Sequence, residues 1–104
     1  MNRDELLQFH ETLCSEAREL MQAKNHDYAG PDGQTPFANF DVAEKIGICS
    51  AAEGMLVRMT DKLRRLITFA KAGQLRVKDE TVQDTCRDLV NYAILFAAKA
   101  KEAP

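Results

Sequence analysis

The chain has 104 residues, which is enough for one domain with a modest core, and we treat residues 1–104 as a single domain. Hydrophobic residues make up 45% and charged residues 29%, and the net charge of −2 argues against direct DNA binding or a membrane surface as partner. The three cysteines lack metal-site spacing, which predicts free thiols in a cytoplasmic protein. The N-terminus is polar, so we expect no signal peptide, and no apolar run approaches about 18 residues, so we expect no membrane span.

Residues 3–24 have the spacing of an amphipathic helix. Apolar side chains recur at intervals of three and four residues: Leu6, Phe9, Leu13, Ala17 and Leu20. Asn2, followed three residues later by Glu5, resembles a capping box at the start. We therefore expect one face of this helix to contribute to the core.

Residues 25–38 interrupt the helical pattern with two glycines, two prolines and several turn-forming residues. A loop of about a dozen residues is long for a compact domain, and such loops are usually functional or disordered. This segment contains Tyr28 and Phe37, so we predict a structured loop. Two roles stay open for it: a connection held in place by its aromatic side chains, or part of a binding site.

A short and a long helix are predicted next. The short one spans residues 37–47, with Gly47 at its end and Phe37, Phe40, Ala43 and Ile46 on one side. Ser50 and Glu53 form a capping box for the long one, which runs to about Ala72, where Gly73 is a typical stop. Its predicted apolar stripe consists of Ala52, Leu56, Met59, Leu63, Leu66 and Ala70.

The last helix begins at a cap provided by Asp79 or Thr81 and continues to about Lys101, and Thr81 with Asp84 forms another capping box. No strand pattern competes, so the sequence predicts an all-α protein. Its architecture is a small helical bundle of three long helices and one short helix, with one structured loop. Apolar residues surround the second half of the last helix on most sides, so we expect a homo-oligomer in which this helix packs against a second copy.

On a helical wheel, charged side chains of the two last helices lie on the shoulders of their apolar stripes. The shoulder of the third helix carries Arg58, Lys62 and Arg65, with Asp61 further outward. That of the last helix carries Asp88 and Tyr92, with Asp84 beyond them. When the two helices pack side by side, these shoulders meet in one cleft.

Such a cleft suits the phosphates of a nucleotide. Carboxylates one turn apart can share a hard cation such as Mg²⁺, and arginine and lysine bind phosphate oxygens. Tyr28 would stack on a base, and a metal-bound water near an acid would permit hydrolysis of a phosphoanhydride. The alternative from spacing alone is structural, because acids in a first helical turn favour the helix dipole and neighbouring bases form surface ion pairs.

Three segments taken together resemble a known family. They are residues 24–28 with 36–40 (KNHDY and PFANF), residues 58–66 (RMTDKLRRL) and residues 79–93 (DETVQDTCRDLVNYA). The combination is similar to the nucleotide modification associated domain family of bacteriophages and prophages. Through that family it resembles, more distantly, the all-α NTP pyrophosphatases of the MazG and dimeric dUTPase type.

Those pyrophosphatases hold Mg²⁺ with two pairs of acids on adjacent helices, the members of each pair three residues apart. Asp88 matches the final acid of the second pair, but Thr85 stands where its partner would be, and Asp84 is one position off. In the earlier helix Asp61 is the one acid near the middle, and Arg64 stands where a second acid would follow. The resemblance therefore implies nucleotide binding and leaves catalysis open.

We thus predict an oligomeric cytoplasmic protein, in the host cytoplasm if phage-encoded, that binds a nucleotide or nucleotide-derived molecule. A Mg²⁺-dependent NTP or dNTP pyrophosphohydrolase would use Asp61, Asp84 and Asp88 as catalytic and metal-holding residues. The predicted nucleotide-binding residues are Lys24, Asp27, Tyr28, Arg58, Lys62, Arg65 and Tyr92. Two alternatives stay open: a non-catalytic binder that sequesters a nucleotide-derived defence signal, and a helical protein-interaction module.

Overall fold

The computed structural model describes residues 1–75 and 81–102. This part of the chain forms four α-helices and no strand: Arg3–Ala29 (α1), Ala38–Lys45 (α2), Ala51–Ala72 (α3) and Val82–Glu102 (α4). The predicted all-α bundle of three long helices and one short helix is confirmed. In the described residues α4 packs against both α1 and α3, which do not contact each other, and α2 packs on α1 and α3.

Helix α1 is longer than its apolar pattern predicts. It begins at the predicted cap, where Asn2 Oδ1 accepts a hydrogen bond from the Glu5 backbone N–H at 2.9 Å. The expected end at residue 24 is wrong, because residues 25–29 contain neither glycine nor proline and continue the helix to Ala29. Gly30 then ends it with a φ of 99°, a backbone conformation that residues with a Cβ rarely adopt.

The loop spans residues 30–37 and is structured, as predicted. Asn25 Nδ2, on the last turns of α1, donates a hydrogen bond to the Pro36 carbonyl oxygen at 2.7 Å. Phe37 is buried and anchors the end of the loop. Tyr28 lies on α1 instead of in the loop, and its side chain is 65% exposed. The loop therefore holds its shape through Phe37 and the backbone, which leaves Tyr28 accessible.

The buried core lies where the end of the loop meets α2, α3 and α4. It contains Phe37, Phe40, Ala51 and Met55, with Tyr92, Leu95 and Phe96 packed against it. The Phe40 and Tyr92 rings meet edge to face, with centroids 6.4 Å apart. At the rim, Lys99 Nζ lies 5.2 Å from the centre of the Phe37 ring and 3.2 Å from Asp41 Oδ1. These contacts fix α2 and the loop against α4.

Hydrogen-bonded caps define the starts of α3 and α4. Ser50 Oγ accepts from the Glu53 N–H, and Glu53 Oε1 accepts from the Ser50 N–H, each at 3.0 Å. Asp84 Oδ2 accepts from the N–H and the hydroxyl of Thr81, each at 2.9 Å, and Thr81 Oγ1 accepts from the Asp84 N–H at 3.1 Å. Both predicted capping boxes are confirmed. The other predicted cap, Asp79, lies outside the described residues, as does the rest of 76–80.

Helix α3 ends before Gly73, as predicted, and its apolar stripe is buried along one edge and exposed along the other. Met55 is fully buried and Leu66 half-buried, both on the side that packs on the rest of the chain. Leu56 and Leu63 belong to the same predicted stripe, yet about half of each is exposed. One chain therefore covers only part of the predicted apolar stripe.

The apolar residues in the second half of α4 differ in how far the rest of the chain buries them. Leu89, Val90, Leu95 and Phe96 are half-buried, whereas Ile94 is mostly exposed. A single chain thus covers most of this helix but not all of it. That α4 packs against a second copy stays a prediction.

Candidate functional site

Asp88 on α4 lies between two lysines from different helices. Its Oδ2 is 2.9 Å from Lys62 Nζ on α3, and its Oδ1 is 3.2 Å from Lys24 Nζ on α1. The side chains of Asp88 and Lys62 are nearly buried, whereas that of Lys24 is more exposed. The pair with Lys62 shows that the shoulders of α3 and α4 meet, as the helical wheel predicts.

These contacts act on the pKa of Asp88 in opposite directions. Burial raises it, because the carboxylate loses water, but the hydrogen bonds and charges of Lys62 and Lys24 together lower it by more. The pKa of Asp88 therefore lies below its ordinary value. At neutral pH, Asp88 is an ionised carboxylate compensated by two ammonium groups.

Asp84 has partners of its own at the start of α4. Besides the capping bonds to Thr81, its Oδ1 lies 2.9 Å from Arg87 Nη1, and Arg87 Nη2 lies 3.2 Å from Glu16 Oε2 on α1. The hydrogen bonds from Thr81 are the main cause that holds the pKa of Asp84 below its ordinary value. Asp84 thus joins the cap of α4 to α1, and it makes no described contact with Asp88.

The three predicted metal ligands do not form a carboxylate cluster. Asp61 is exposed on α3, Asp84 belongs to the cap, and Asp88 is bonded to two ammonium groups. Among the residues that the structure describes, no group of three or more His, Cys, Asp or Glu side chains is placed to hold a metal ion. Mg²⁺ requires oxygen ligands, and both oxygens of Asp88 already face lysines, so these residues as arranged do not fit a magnesium ion.

A cleft next to Asp88 runs between the C-terminal half of α1, α2 and α4. Its inner part is small, with a volume of about 70 Å³. The residues lining it are Met21, Lys24, Asn25, Tyr28, Pro36, Asn39, Phe40, Asp88, Asn91, Tyr92 and Leu95. A wider outer part of about 570 Å³, open to solvent, extends to α3 and reaches Arg58 and Asp61, and its volume is within the range of small-molecule sites.

Asn91 lines the inner part and carries an unpaired polar atom. The residue is only 8% exposed, and its Nδ2 donates to the Ala17 carbonyl oxygen at 2.8 Å. Because a carbonyl oxygen only accepts, this bond fixes which end of the amide is nitrogen. The remaining atom, Oδ1, is buried without a hydrogen-bond partner. A buried acceptor without a partner is unfavourable, so a donor that reaches Oδ1 would be stabilised there.

The cleft brings together most of the predicted nucleotide-binding residues. Lys24, Tyr28, Arg58 and Tyr92 line it, and Lys62 is joined to it through Asp88. Asp27 is exposed elsewhere on α1, with its Oδ1 3.5 Å from His26 Nδ1. Arg65 is half-buried on α3 and is not among the residues that line either part.

The amides of the inner cleft were not predicted from the sequence. Asn25, Asn39 and Asn91 supply its uncharged polar side chains apart from the tyrosines. A signal existed for Asn91, because a polar residue within the apolar half of a helix needs a buried hydrogen-bond partner. No such signal marks the pair of Arg87 with Glu16, which are 71 positions apart and meet only because α1 packs on α4.

No protein-family model matches the chain, and neither a curated protein nor a solved structure matches it. The resemblance to the nucleotide modification associated domain family therefore depends on the quoted sequence segments alone. The geometry of the cleft has to support any function assigned to the protein.

Proposed function

We propose that the cleft binds a nucleotide or a nucleotide-derived small molecule. Lys24 and Tyr28 on α1 and Arg58 on α3, far from them in the sequence, converge on the outer part of the cleft, which has a suitable size, and this convergence carries the proposal. Cationic side chains bind phosphate oxygens, and an exposed aromatic ring stacks on a base. These are the two principal contacts that a nucleotide needs.

The charged residues in and beside the cleft favour an anion. Three cations, Lys24, Lys62 and Arg58, are accompanied by two carboxylates, Asp88 and Asp61, which leaves one positive charge in excess. Lys24 is the more exposed of the two lysines on Asp88 and makes the longer of the two contacts. We therefore expect Lys24 to turn to a phosphate while Lys62 continues to neutralise Asp88.

Aromatic and amide side chains are available for the base. Tyr28 is largely exposed, so a ring stacked on it would cover apolar surface. Tyr92 lines the same cleft and is held by its edge-to-face contact with Phe40. Asn39 is exposed and lines both parts of the cleft, so its amide can form hydrogen bonds with the base.

The geometry favours retention of the intact ligand over its hydrolysis. A pyrophosphohydrolase of the type that the resemblance implies would need Asp61, Asp84 and Asp88 to hold Mg²⁺. Asp84 is instead engaged in the cap of α4, and Asp88 is engaged with two lysines. Binding requires only that Lys24 turns from Asp88 to the ligand, while the cap of α4 and the pair of Asp88 with Lys62 are kept. Our first choice is therefore a non-catalytic binder, which in a phage would sequester a nucleotide-derived defence signal.

The cellular setting is part of the same proposal. None of the four described helices combines the length and the apolar character that a transmembrane span requires. Nucleotides are cytoplasmic metabolites, so we place the binder in the cytoplasm, that of the host if the chain is phage-encoded. A helical interaction module would account for the surface ion pairs but gives no reason for the cleft to exist.

Calorimetric titration tests the proposal. The ligands are nucleoside triphosphates, deoxynucleoside triphosphates and linear and cyclic signalling nucleotides, each offered in Mg²⁺ and again in EDTA. Binding that persists in EDTA, with the ligand recovered intact after denaturation, supports the binder. Release of pyrophosphate that needs Mg²⁺ and is lost in Asp88→Asn would establish the enzyme instead. Lack of binding to every compound would overturn both.

A matched pair of arginine variants locates the binding. Arg58→Gln should weaken nucleotide affinity roughly tenfold, since a hydrogen bond to a charged group contributes about 1.5–3 kcal/mol. Arg18→Gln changes an exposed arginine of α1 that lines neither part of the cleft, so it should leave affinity unchanged. Equal loss in both variants would mean that the ligand responds only to the overall charge.

A further inference from the structure

The chain exposes more surface than its mass predicts for a folded monomer. Its accessible surface is 7867 Å², whereas a monomer of 11.7 kDa is expected to expose roughly 5,900 Å². Its radius of gyration of 15.4 Å exceeds the roughly 13 Å expected for a domain of this length. The excess of roughly 2,000 Å² is more than the roughly 800 Å² that each partner buries in a standard protein interface.

Part of the excess lies on the N-terminal third of α1. Residues 1–12 are all exposed, although Leu6, Leu7 and Phe9 are apolar. The 27 residues of α1 extend about 40 Å, nearly the whole 44 Å length of the molecule. Helices of this kind gain most of their stability from packing of an apolar face, and no described helix covers this one.

Another part lies on the outer face of α3. Leu56, Leu63 and Ile67 stand at positions i, i+7 and i+11 of one helix and are each about half-exposed. This spacing places them on one side of α3. The adjoining side, with Met55 and Leu66, is covered by the chain itself. The outer face is therefore a second apolar face without a described partner.

The two exposed faces carry opposite charges. In residues 3–14 three acids, Asp4, Glu5 and Glu11, accompany one base, Arg3. On α3, Arg64 and Lys71 lie beside Ile67 and line a shallow groove with it. Since α1 and α3 do not contact each other within the described chain, neither face can satisfy the other internally.

We propose that a second copy of this chain covers both faces, with α1 of each protomer lying on α3 of the other. In a two-fold dimer this contact occurs twice, so one arrangement buries both apolar faces of both chains and sets acids against bases. This surface is an alternative to the α4 contact that the sequence predicts, and Ile94→Glu distinguishes the two. The inference does not depend on what the cleft binds.

Sedimentation equilibrium of the full chain tests the dimer directly. The wild-type protein should have twice the 11.7 kDa mass of the chain at micromolar concentration. Leu63→Glu and Phe9→Glu, both at exposed positions, should each halve that mass while the helical circular dichroism is retained. Ile94→Glu makes the same change on α4 and should leave the dimer intact.

A charge exchange tests the pairing of α1 with α3. The Glu5→Lys, Glu11→Lys double variant and the Arg64→Glu, Lys71→Glu double variant should each weaken dimerisation about tenfold or more, because like charges then face each other. All four changes in one chain should restore the wild-type affinity, since every facing pair is reversed on both sides. A dimer in which α1 packed on α1, or α3 on α3, would not regain its affinity in the quadruple variant.

Three results would overturn the inference. A monomeric wild-type protein at high micromolar concentration would mean that a different molecule covers these faces. A dimer that is lost only in Ile94→Glu would place the interface on α4. A quadruple variant that stays as weak as the double variants would exclude the α1-on-α3 arrangement. As a control, Lys45→Glu with Lys101→Glu changes two exposed lysines outside both faces and should not alter the mass.

Discussion

Replacing Asp88 with asparagine removes the charge that Lys62 and Lys24 share. The amide keeps the size of the side chain, but it is a weaker acceptor for an ammonium group than a carboxylate. Lys62 would then be a nearly buried cation without the carboxylate that faces it now. We therefore expect Asp88→Asn to lower the free energy of unfolding.

The size of the expected loss in unfolding free energy depends on how exposed Asp88, Lys62 and Lys24 are. Breaking a buried pair costs about 3–5 kcal/mol, and breaking an exposed pair costs under about 1 kcal/mol. The side chains of Asp88, Lys62 and Lys24 are 13%, 16% and 45% exposed, so we expect a loss of about 2 kcal/mol. Lys62→Met should cost about 1 kcal/mol, because Lys24 still compensates Asp88.

Urea denaturation at a fixed protein concentration, followed by helical circular dichroism, measures these losses. The two single variants and the double variant form a cycle whose coupling energy should be about 1 kcal/mol. Asp41→Asn is the matched control. Its pair with Lys99, at 3.2 Å, is more exposed than that of Asp88 with Lys62, so it should cost under about 1 kcal/mol.

The pH dependence provides a separate check on the same carboxylate. The native pKa of Asp88 lies below the unfolded value of about 3.9, so its contribution is complete above that value and is lost as pH falls through the native pKa. The difference between wild type and Asp88→Asn should thus be constant between about pH 5 and pH 7 and shrink below about pH 4. A difference under about 0.5 kcal/mol at pH 7, or one that does not shrink as the pH falls below about 4, would refute the reasoning.

Three further predictions concern the caps and the ligand. Ser50→Ala should lower the free energy of unfolding by about 1 kcal/mol in urea titrations, whereas Ser15→Ala, away from any cap, should leave it unchanged or slightly raised. Asp84→Asn should lower the urea midpoint through its cap with Thr81 yet leave nucleotide affinity unchanged; a parallel loss of affinity would return Asp84 to the site. Tyr28→Ala should weaken nucleotide binding by about 1–3 kcal/mol in calorimetry, and Tyr28→Phe, which keeps the ring, should not. If Tyr28→Ala binds as tightly as the wild type and Tyr28→Phe, then Tyr28 is not part of the site.

Signals that act over a few residues were sufficient to predict most helix boundaries. The Ser50–Glu53 and Thr81–Asp84 boxes form within four residues, so their chemistry is visible in the sequence. The end of α1 was not predictable in this way, because residues 25–29 have weak helix propensity. Their helix is supported by a contact across the fold, the hydrogen bond from Asn25 to the Pro36 carbonyl 11 positions later.

Periodicity predicted that α3 is apolar along one side but not that the chain itself covers only part of this side. Met55 and Leu56 are adjacent and equally apolar, yet the first is fully buried and the second about half-exposed. A stripe broad enough for two contacts looks the same in the sequence as one broad core-facing stripe. The difference depends on where α4 packs, which is a property of the whole fold.

At Asp88, too, one contact is predictable from local spacing and the other depends on the whole fold. Helical spacing was sufficient to bring Asp88 opposite Lys62, because each lies on a predictable shoulder of its own helix. Lys24 is 64 positions away from Asp88, and their contact depends on how α1 crosses α4. With Lys62 alone, one oxygen of Asp88 would stay available to a cation. With Lys24 as well, each oxygen of Asp88 faces a lysine, so a contact that no local pattern encodes makes the carboxylate, as arranged here, a poorer cation ligand than helical spacing alone predicts.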